Sequence, residues 1–127
     1  MVLVDTSVWV SHIRSGEPHL AEFLEDGLVL THPAVLGELA CGNLRNRKAF
    51  LSDLSELQEA VAATNEEALV LIEGRKLWGR GIGWIDAHLL ASSLLSGCFF
   101  WTLDERLKAV CQVAGIKVHP AMSGSSY

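Results

Sequence analysis

The residue pattern predicts an α/β domain built on a parallel sheet. Three observations carry that prediction. Short apolar runs rich in β-branched and aromatic residues (MVLVD at 1–5, LVLTH at 28–32, CFFWTL at 98–103, IKVH at 116–119) alternate with stretches of helical period. Each run is separated from the next by enough chain for a helical crossover, which parallel pairing requires. The chain has 127 residues, half of them hydrophobic, which suits one globular domain with a real core.

The elements follow in order. Residues 1–5 are short and apolar and read as a buried strand. A helix is expected from about Ser7 to Arg14, stopping near Gly16 and Pro18. HLAEFLED at 19–26 is amphipathic and short, and ends at Gly27. LVLTH at 28–32 is a second buried strand. Pro33 suits the first turn of a helix over about 34–42, punctuated by Gly42-Asn43. Phe50, Leu51, Leu54, Leu57 and Val61 recur at helical period and predict a helix over 46–62. Thr64 is a natural cap for a helix running to about Trp78, with Leu69, Ile72 and Leu77 on one face. Gly79, Gly81 and Gly83 mark a loop. Residues 84–96 form a mostly apolar helix ending at Gly97, CFFWTL is a third strand, 105–114 a helix closed by Gly115, and 116–119 a last strand. One domain is expected over 1–119, with a C-terminal tail, PAMSGSSY, at 120–127.

No stretch has the length and apolarity of a membrane span or the basic start of a signal peptide, so a cytoplasmic protein without membrane contact is expected. Cys41, Cys98 and Cys111 lie in apolar segments without metal-type spacing and are expected to be buried free thiols. The net charge is −5, which opposes tight non-specific binding to a polyanion.

Four acids stand almost alone in apolar or small-residue surroundings: Asp5, Glu38, Asp86 and Asp104. Without them, 11 of the 15 acidic residues remain against 10 basic ones, so the rest of the surface is nearly neutral. Burying a carboxylate is costly unless something compensates it. Asp5 and Asp104 end two strands, Asp86 begins a helix, and Glu38 lies about one turn into the helix after another strand. In open α/β sheets, ligands gather outside the carboxyl ends of the strands. All four therefore fall at one end of the sheet, and an oxygen-only donor set favours Mg²⁺, with Mn²⁺ the alternative, over zinc.

Each acid also has a structural explanation. Asp5, Asp104 and Asp86 could serve as helix caps or dipole partners. Thr102 and Glu105 have capping-box spacing, which would release Asp104 from capping. Glu38 has no basic residue three or four positions away. Thr6, Ser7 and Thr102 sit beside the acids, either as caps or as supports that orient carboxylates. His12, His19, His32, His88 and His119 lack ligand spacing, and His88 is expected to face away from Asp86. GRGIG at 79–83 is not a phosphate loop, since it follows a helix and lacks the Gly-Lys-Ser/Thr ending. Arg80 in that loop, and Arg45, Arg47 or Lys48, are candidates for contact with substrate phosphates; a solvated basic face is the commoner explanation for the last three. Trp84, just before Ile85-Asp86, is given no function.

VDTSVW, the lone Glu38, IDAHLLASSLL and WTLDERL, in this order and spacing, resemble the PIN-domain ribonucleases, and most closely the VapC-type toxins of type II toxin–antitoxin modules. The resemblance runs from Val2 to about Val118. It implies a three-layer α/β/α sandwich with strand order 3-2-1-4-5, and Asp5, Glu38, Asp86 and Asp104 as a metal-binding quartet supported by Thr102. It also implies Mg²⁺- or Mn²⁺-dependent cleavage of RNA such as a tRNA or rRNA, inhibition by a VapB-type antitoxin, and a homodimer. The rivals are a PIN-fold binding module without activity and another acidic-site α/β phosphohydrolase. The latter would want paired acids at the first strand, where Asp5 is followed by Thr6 and Ser7.

Overall fold

A computed structural model describes residues 1–119; the expected tail at 120–127 lies outside the described residues. The elements are β1 (Val2–Val4), α1 (Thr6–Ser15), α2 (Pro18–Glu25), β2 (Val29–Leu30), α3 (Pro33–Ala40), α4 (Arg47–Ser55), α5 (Asn65–Arg75), α6 (Trp84–Ser96), β3 (Phe99–Trp101), α7 (Glu105–Ala114) and β4 (Val118–His119). The strands pair in parallel in the order β2-β1-β3-β4. The expected fifth position is filled by a single parallel bridge, Thr31 with Glu59, beyond β2. Counting that bridge, the order is the expected 3-2-1-4-5.

The architecture is a three-layer α/β/α sandwich. Helix contacts fall into two sets, α1–α3–α4 and α5–α6–α7, with α6 also packed on β3 and α2 on β2. Val2, Leu3, Val4, Phe100 and Trp101 share one buried core with Val8, Leu20, Val35, Leu39, Leu89, Leu90 and Leu107. A strand buried on both faces must be apolar throughout, which is why these runs do not alternate. The chain steps from β1 to one neighbour, β2, and then crosses to the other, β3. The order therefore reverses at β1, and a crevice opens beyond the ends of β1 and β3.

Three sequence expectations are corrected. The helix predicted over 46–62 stops at Ser55. Beyond it, Thr31 N–H donates to the Gln58 carbonyl (2.9 Å) and Ala60 N–H to the Thr31 carbonyl (2.8 Å). Val61 N–H donates to Ser96 Oγ and Ala63 N–H to Ser92 Oγ. These distant partners take the backbone groups a longer helix would use, and Val61, expected on its apolar stripe, is exposed. The next helix has its cap at Thr64, with both halves of a capping box to Glu67 formed. It ends at Arg75 rather than Trp78, because Lys76 turns left-handed at φ 54°. Its buried face is Ala68 and Leu71, and Leu69 points outward. Of the cysteines, Cys111 is buried, Cys98 half-buried and Cys41 exposed beyond the end of α3.

Candidate functional site

Asp5 leaves β1 and is held to β3 through its own N–H, which donates to the Trp101 carbonyl (2.9 Å). It occupies the cap position of α1, yet its side chain makes no cap bond. Instead Oδ2 accepts from Thr102 Oγ1 (2.7 Å) and from Ser7 Oγ (2.8 Å). Both hydroxyls also accept from the β3–α7 turn: Thr102 Oγ1 from Asp104 N–H (3.1 Å), Ser7 Oγ from Leu103 N–H (3.0 Å). Asp5 and Thr102 are buried, so this small web fixes one carboxylate against the other strand's end.

Asp104 is exposed and caps α7: Oδ1 accepts from Arg106 N–H (2.9 Å) and Leu107 N–H (3.2 Å). The expected Thr102–Glu105 capping box does not form, because the Thr102 hydroxyl is committed to Asp5. Glu38 stands on α3, whose Val35 and Leu39 are buried one turn apart, leaving Glu38 on the open side. Its Oε1 accepts from Thr6 Oγ1 (2.7 Å). Asp86 lies in the first turn of α6, where Oδ2 accepts from Gly83 N–H (3.1 Å). Thr6, Ser7 and Thr102 thus each orient one of these carboxylates.

A common pattern emerges. Each of the four acids is anchored through one oxygen: Asp5 Oδ2, Glu38 Oε1, Asp86 Oδ2, Asp104 Oδ1. Among the described residues, the second oxygen of each accepts no hydrogen bond and no Lys or Arg pairs with any of them; Lys108 pairs with Glu105 instead. The Asp86 carboxyl is raised above the ordinary Asp range, first by burial, then by the charges of Asp5, Asp104 and Glu38, against the opposing Gly83 N–H. One group therefore feels all three others. The same field reaches α7, where burial, then Asp5 and Asp86, push the Cys111 thiol up to about 12.

Among the described residues, no three His, Cys, Asp or Glu side chains form a group that could hold a metal ion as they stand. The four share an electrostatic field rather than a closed coordination shell. Their chemistry nevertheless fits a hard cation: four free carboxylate oxygens, no soft donor, and no protein cation to neutralise them.

His88 Nε2 bonds Asn65 Oδ1 (2.9 Å), and its ring meets the edge of Trp84 at 4.6 Å, so it serves the α5–α6 face. Arg80 Nε donates to the Lys76 carbonyl (2.9 Å), and Arg45 is exposed between α3 and α4. A connection invisible in the sequence is His32, the cap of α3. Its Nδ1 accepts from Ala34 N–H (3.0 Å), so Nε2 carries the proton and donates to Ser92 Oγ (3.0 Å) on α6. Burial, then the nearby His88, lowers its pKa and keeps it neutral, against a weaker pull from Glu59. The helices bearing Glu38 and Asp86 are thereby tied together. Arg106 was also not anticipated; its side chain lies across Gly81. Its only sequence signal is its place two residues after Asp104.

Residues 2–113 match the PIN domain family. Two curated relatives, each named Ribonuclease VapC32, come from Mycobacterium tuberculosis strains CDC 1551 / Oshkosh and ATCC 25618 / H37Rv. Each is 43% identical over 124 residues, covering 97% of this chain and 100% of the relative. Among solved structures, PAE2754 from Pyrobaculum aerophilum matches with a TM-score of 0.57 at 19% identity, over 85% of this chain and 84% of that one. That likeness bears on the fold alone.

Proposed function

The chain belongs to the PIN-domain family, in its VapC branch, and on that premise we propose that it is a Mg²⁺-dependent endoribonuclease, the toxin of a toxin–antitoxin pair. The observation that supports this most is the shared field of Asp5, Glu38, Asp86 and Asp104, each with one carboxylate oxygen free and no cation partner among the described residues. These four would hold Mg²⁺ or Mn²⁺. When bound, such an ion neutralises charge on a phosphodiester and makes water more acidic.

The chain's own groups do the rest. Thr102 and Ser7 hold Asp5 through Oδ2 and leave its other oxygen free. Thr6 does the same for Glu38, and the Gly83 N–H for Asp86. Burial and the neighbouring carboxylates raise the Asp86 carboxyl, so acid should oppose ion binding at that group. Hydrolysis of this type does not use the 2′-hydroxyl, and the products are a 5′-phosphate and a 3′-hydroxyl.

The substrate is an RNA such as a tRNA or rRNA, met in the cytoplasm, with Arg80 and Arg45 as contacts for flanking phosphates. Cleavage would halt translation, and a VapB-type antitoxin would neutralise it. The exposed apolar residues Val70, Leu94 and Leu95 on α5 and α6 support a homodimer. No helix among the described residues is long and apolar enough to cross a membrane. The test is end-chemistry of the products. Purified protein with Mg²⁺ should generate RNA fragments that a 5′-phosphate-dependent exonuclease degrades. Fragments bearing 2′,3′-cyclic phosphates would overturn the mechanism.

A further inference from the structure

Glu38 and Asp86 belong to different sets of helices. Glu38 lies on α3, which packs on α1 and α4, and Asp86 lies on α6, which packs on α5 and β3. The charge of Glu38 nevertheless reaches Asp86, so the spacing of α3 and α6 matters to the site. Asp5 is fixed between β1 and the β3–α7 turn by Thr102 and Ser7, and Thr6 holds Glu38 to α1. Neither arrangement reaches α6. His32 and Ser92 do.

His32, the cap of α3, is 4% exposed, and Ser92, within α6, is fully buried. Both ring nitrogens are engaged: Nδ1 accepts from Ala34 N–H, and Nε2 donates to Ser92 Oγ, each at 3.0 Å. Ser92 Oγ also accepts from Ala63 N–H (2.9 Å), so both acceptor positions of the hydroxyl are used. One turn further along α6, Ser96 Oγ accepts from Val61 N–H (2.8 Å). Thr31, the residue before His32, bonds Gln58 and Ala60 through its backbone. The start of α3, the segment 58–63 and α6 thus form one closed set of hydrogen bonds. The two acids stand at equal distance from it along the chain. Glu38 is six residues after His32 and Asp86 six before Ser92. Six residues of helix span about 9 Å.

A buried polar pair adds little net stability, because an apolar pair of the same shape can serve about as well. What it adds is direction, since a donor and an acceptor accept one register where packing alone tolerates several. We propose that His32 and Ser92 are a positioning pair for the acidic site. Their hydrogen bond sets α3 against α6 and so holds the Glu38 and Asp86 carboxylates at the separation that ion binding requires. This rests on the metal-site reading above and adds to it two residues that touch neither ion nor substrate.

The probe is Mn²⁺ alone, with the free ion counted by electron paramagnetic resonance, so no cleavage is needed. His32→Asn keeps an acceptor for Ala34 N–H but is too short to reach Ser92. His32→Gln carries an amide N–H at the reach of Nε2 and gives up the cap. Each variant loses one hydrogen bond, so both should melt lower than wild type, by about 3–8 °C. Only His32→Asn should weaken Mn²⁺ binding, by about 3- to 10-fold, the factor one neutral hydrogen bond can supply. His32→Gln should bind within about 2-fold of wild type. Ser92→Ala removes the same bond from the α6 side and should weaken Mn²⁺ binding as His32→Asn does. Asp5→Asn should bind at least about 10-fold more weakly, which identifies the counted ion as the one at the four acids. Mn²⁺ binding that falls equally in His32→Asn and His32→Gln, and so follows stability, overturns the proposal. So does wild-type affinity in either His32→Asn or Ser92→Ala. RNA cleavage by the same wild-type sample keeps the two readings apart. Cleavage without the expected Mn²⁺ pattern sinks the positioning pair and leaves the ribonuclease reading standing; the pattern without cleavage does the reverse. Wild-type protein that takes up no Mn²⁺ overturns the pair and the metal site together.

Discussion

Replacing Thr102 with Val keeps its shape and removes only the hydroxyl, which makes it a sharp probe of the site. Thr102 is fully buried, and its Oγ1 donates to Asp5 Oδ2 and accepts from Asp104 N–H. A hydrogen bond to a charged acceptor is worth about 1.5–3 kcal/mol, and leaving a part-buried N–H unpaired costs about 1 kcal/mol more. Ser7 still donates to Asp5, which limits the loss. The expected destabilisation is therefore about 2–4 kcal/mol, or a melting temperature lower by about 6–15 °C for a domain of this size. Because Asp5 would then be free to turn, activity should also fall about 10- to 100-fold, as when the support of a metal ligand is lost. Thermal unfolding by circular dichroism, with and without Mg²⁺, reads the first effect, and a cleavage time course the second. Thr102→Ser retains the hydroxyl and should recover most of both. If Thr102→Val melts within about 2 °C of wild type, or if Thr102→Ser loses as much as Val, the hydroxyl is not what holds Asp5.

Asp86→Asn keeps an acceptor for Gly83 N–H and removes one of four mutually repelling charges. It should raise the melting temperature in EDTA while abolishing the rise that Mg²⁺ gives; a lower temperature in EDTA would contradict the repulsion. In wild type, Mg²⁺ at ten times its Kd should add about 1.4 kcal/mol, and identical melting in EDTA and millimolar Mg²⁺ would count against an ion at this site. Acid should destabilise the fold through its buried imidazoles. His119 is lowered to about 4, by burial first and then by His19, and His32 is lowered as well. Their folded values lie below the ordinary 6.5, so the stability they confer is full above pH 6.5 and is lost as pH falls below it, for His119 down to about 4. For His119 this amounts to about 2 kcal/mol between neutral pH and pH 5. Asp86, raised in the fold, works in the opposite sense, its contribution growing as pH falls. Equal urea midpoints at pH 7.5 and pH 5 would refute the histidine assignment.

The sheet was legible because its strands are buried on both faces and therefore spell continuous apolar runs. The lone acids were legible for the same reason, since a charge stands out against such a background. The edge at Gln58–Ala60 was not. Its partner, Thr31, lies far back in the chain, and the local spacing of Leu54, Leu57 and Val61 argued for helix. Thr102 looked equally suited to capping α7 or to orienting a carboxylate. Only the register of β1 on β3, with Val4 beside Trp101, brings its hydroxyl to a carboxylate 97 positions away. Asp104 proved to be both cap and crevice acid, because a carboxylate has two oxygens and capping spends one. Trp84 carried no message in isolation; its exposure and its contact with His88 are properties of the fold.

The most direct test is cleavage of purified RNA by four proteins side by side: wild type, Asp5→Asn, Glu38→Gln and Asp104→Asn, each in Mg²⁺ and in EDTA. The account predicts cleavage by wild type in Mg²⁺ and its loss in EDTA. It also predicts a fall of at least about 100-fold in every variant, each still folded by circular dichroism. Cleavage that persists in EDTA, or that any one of these variants retains at the wild-type rate, would contradict a metal site built from the quartet.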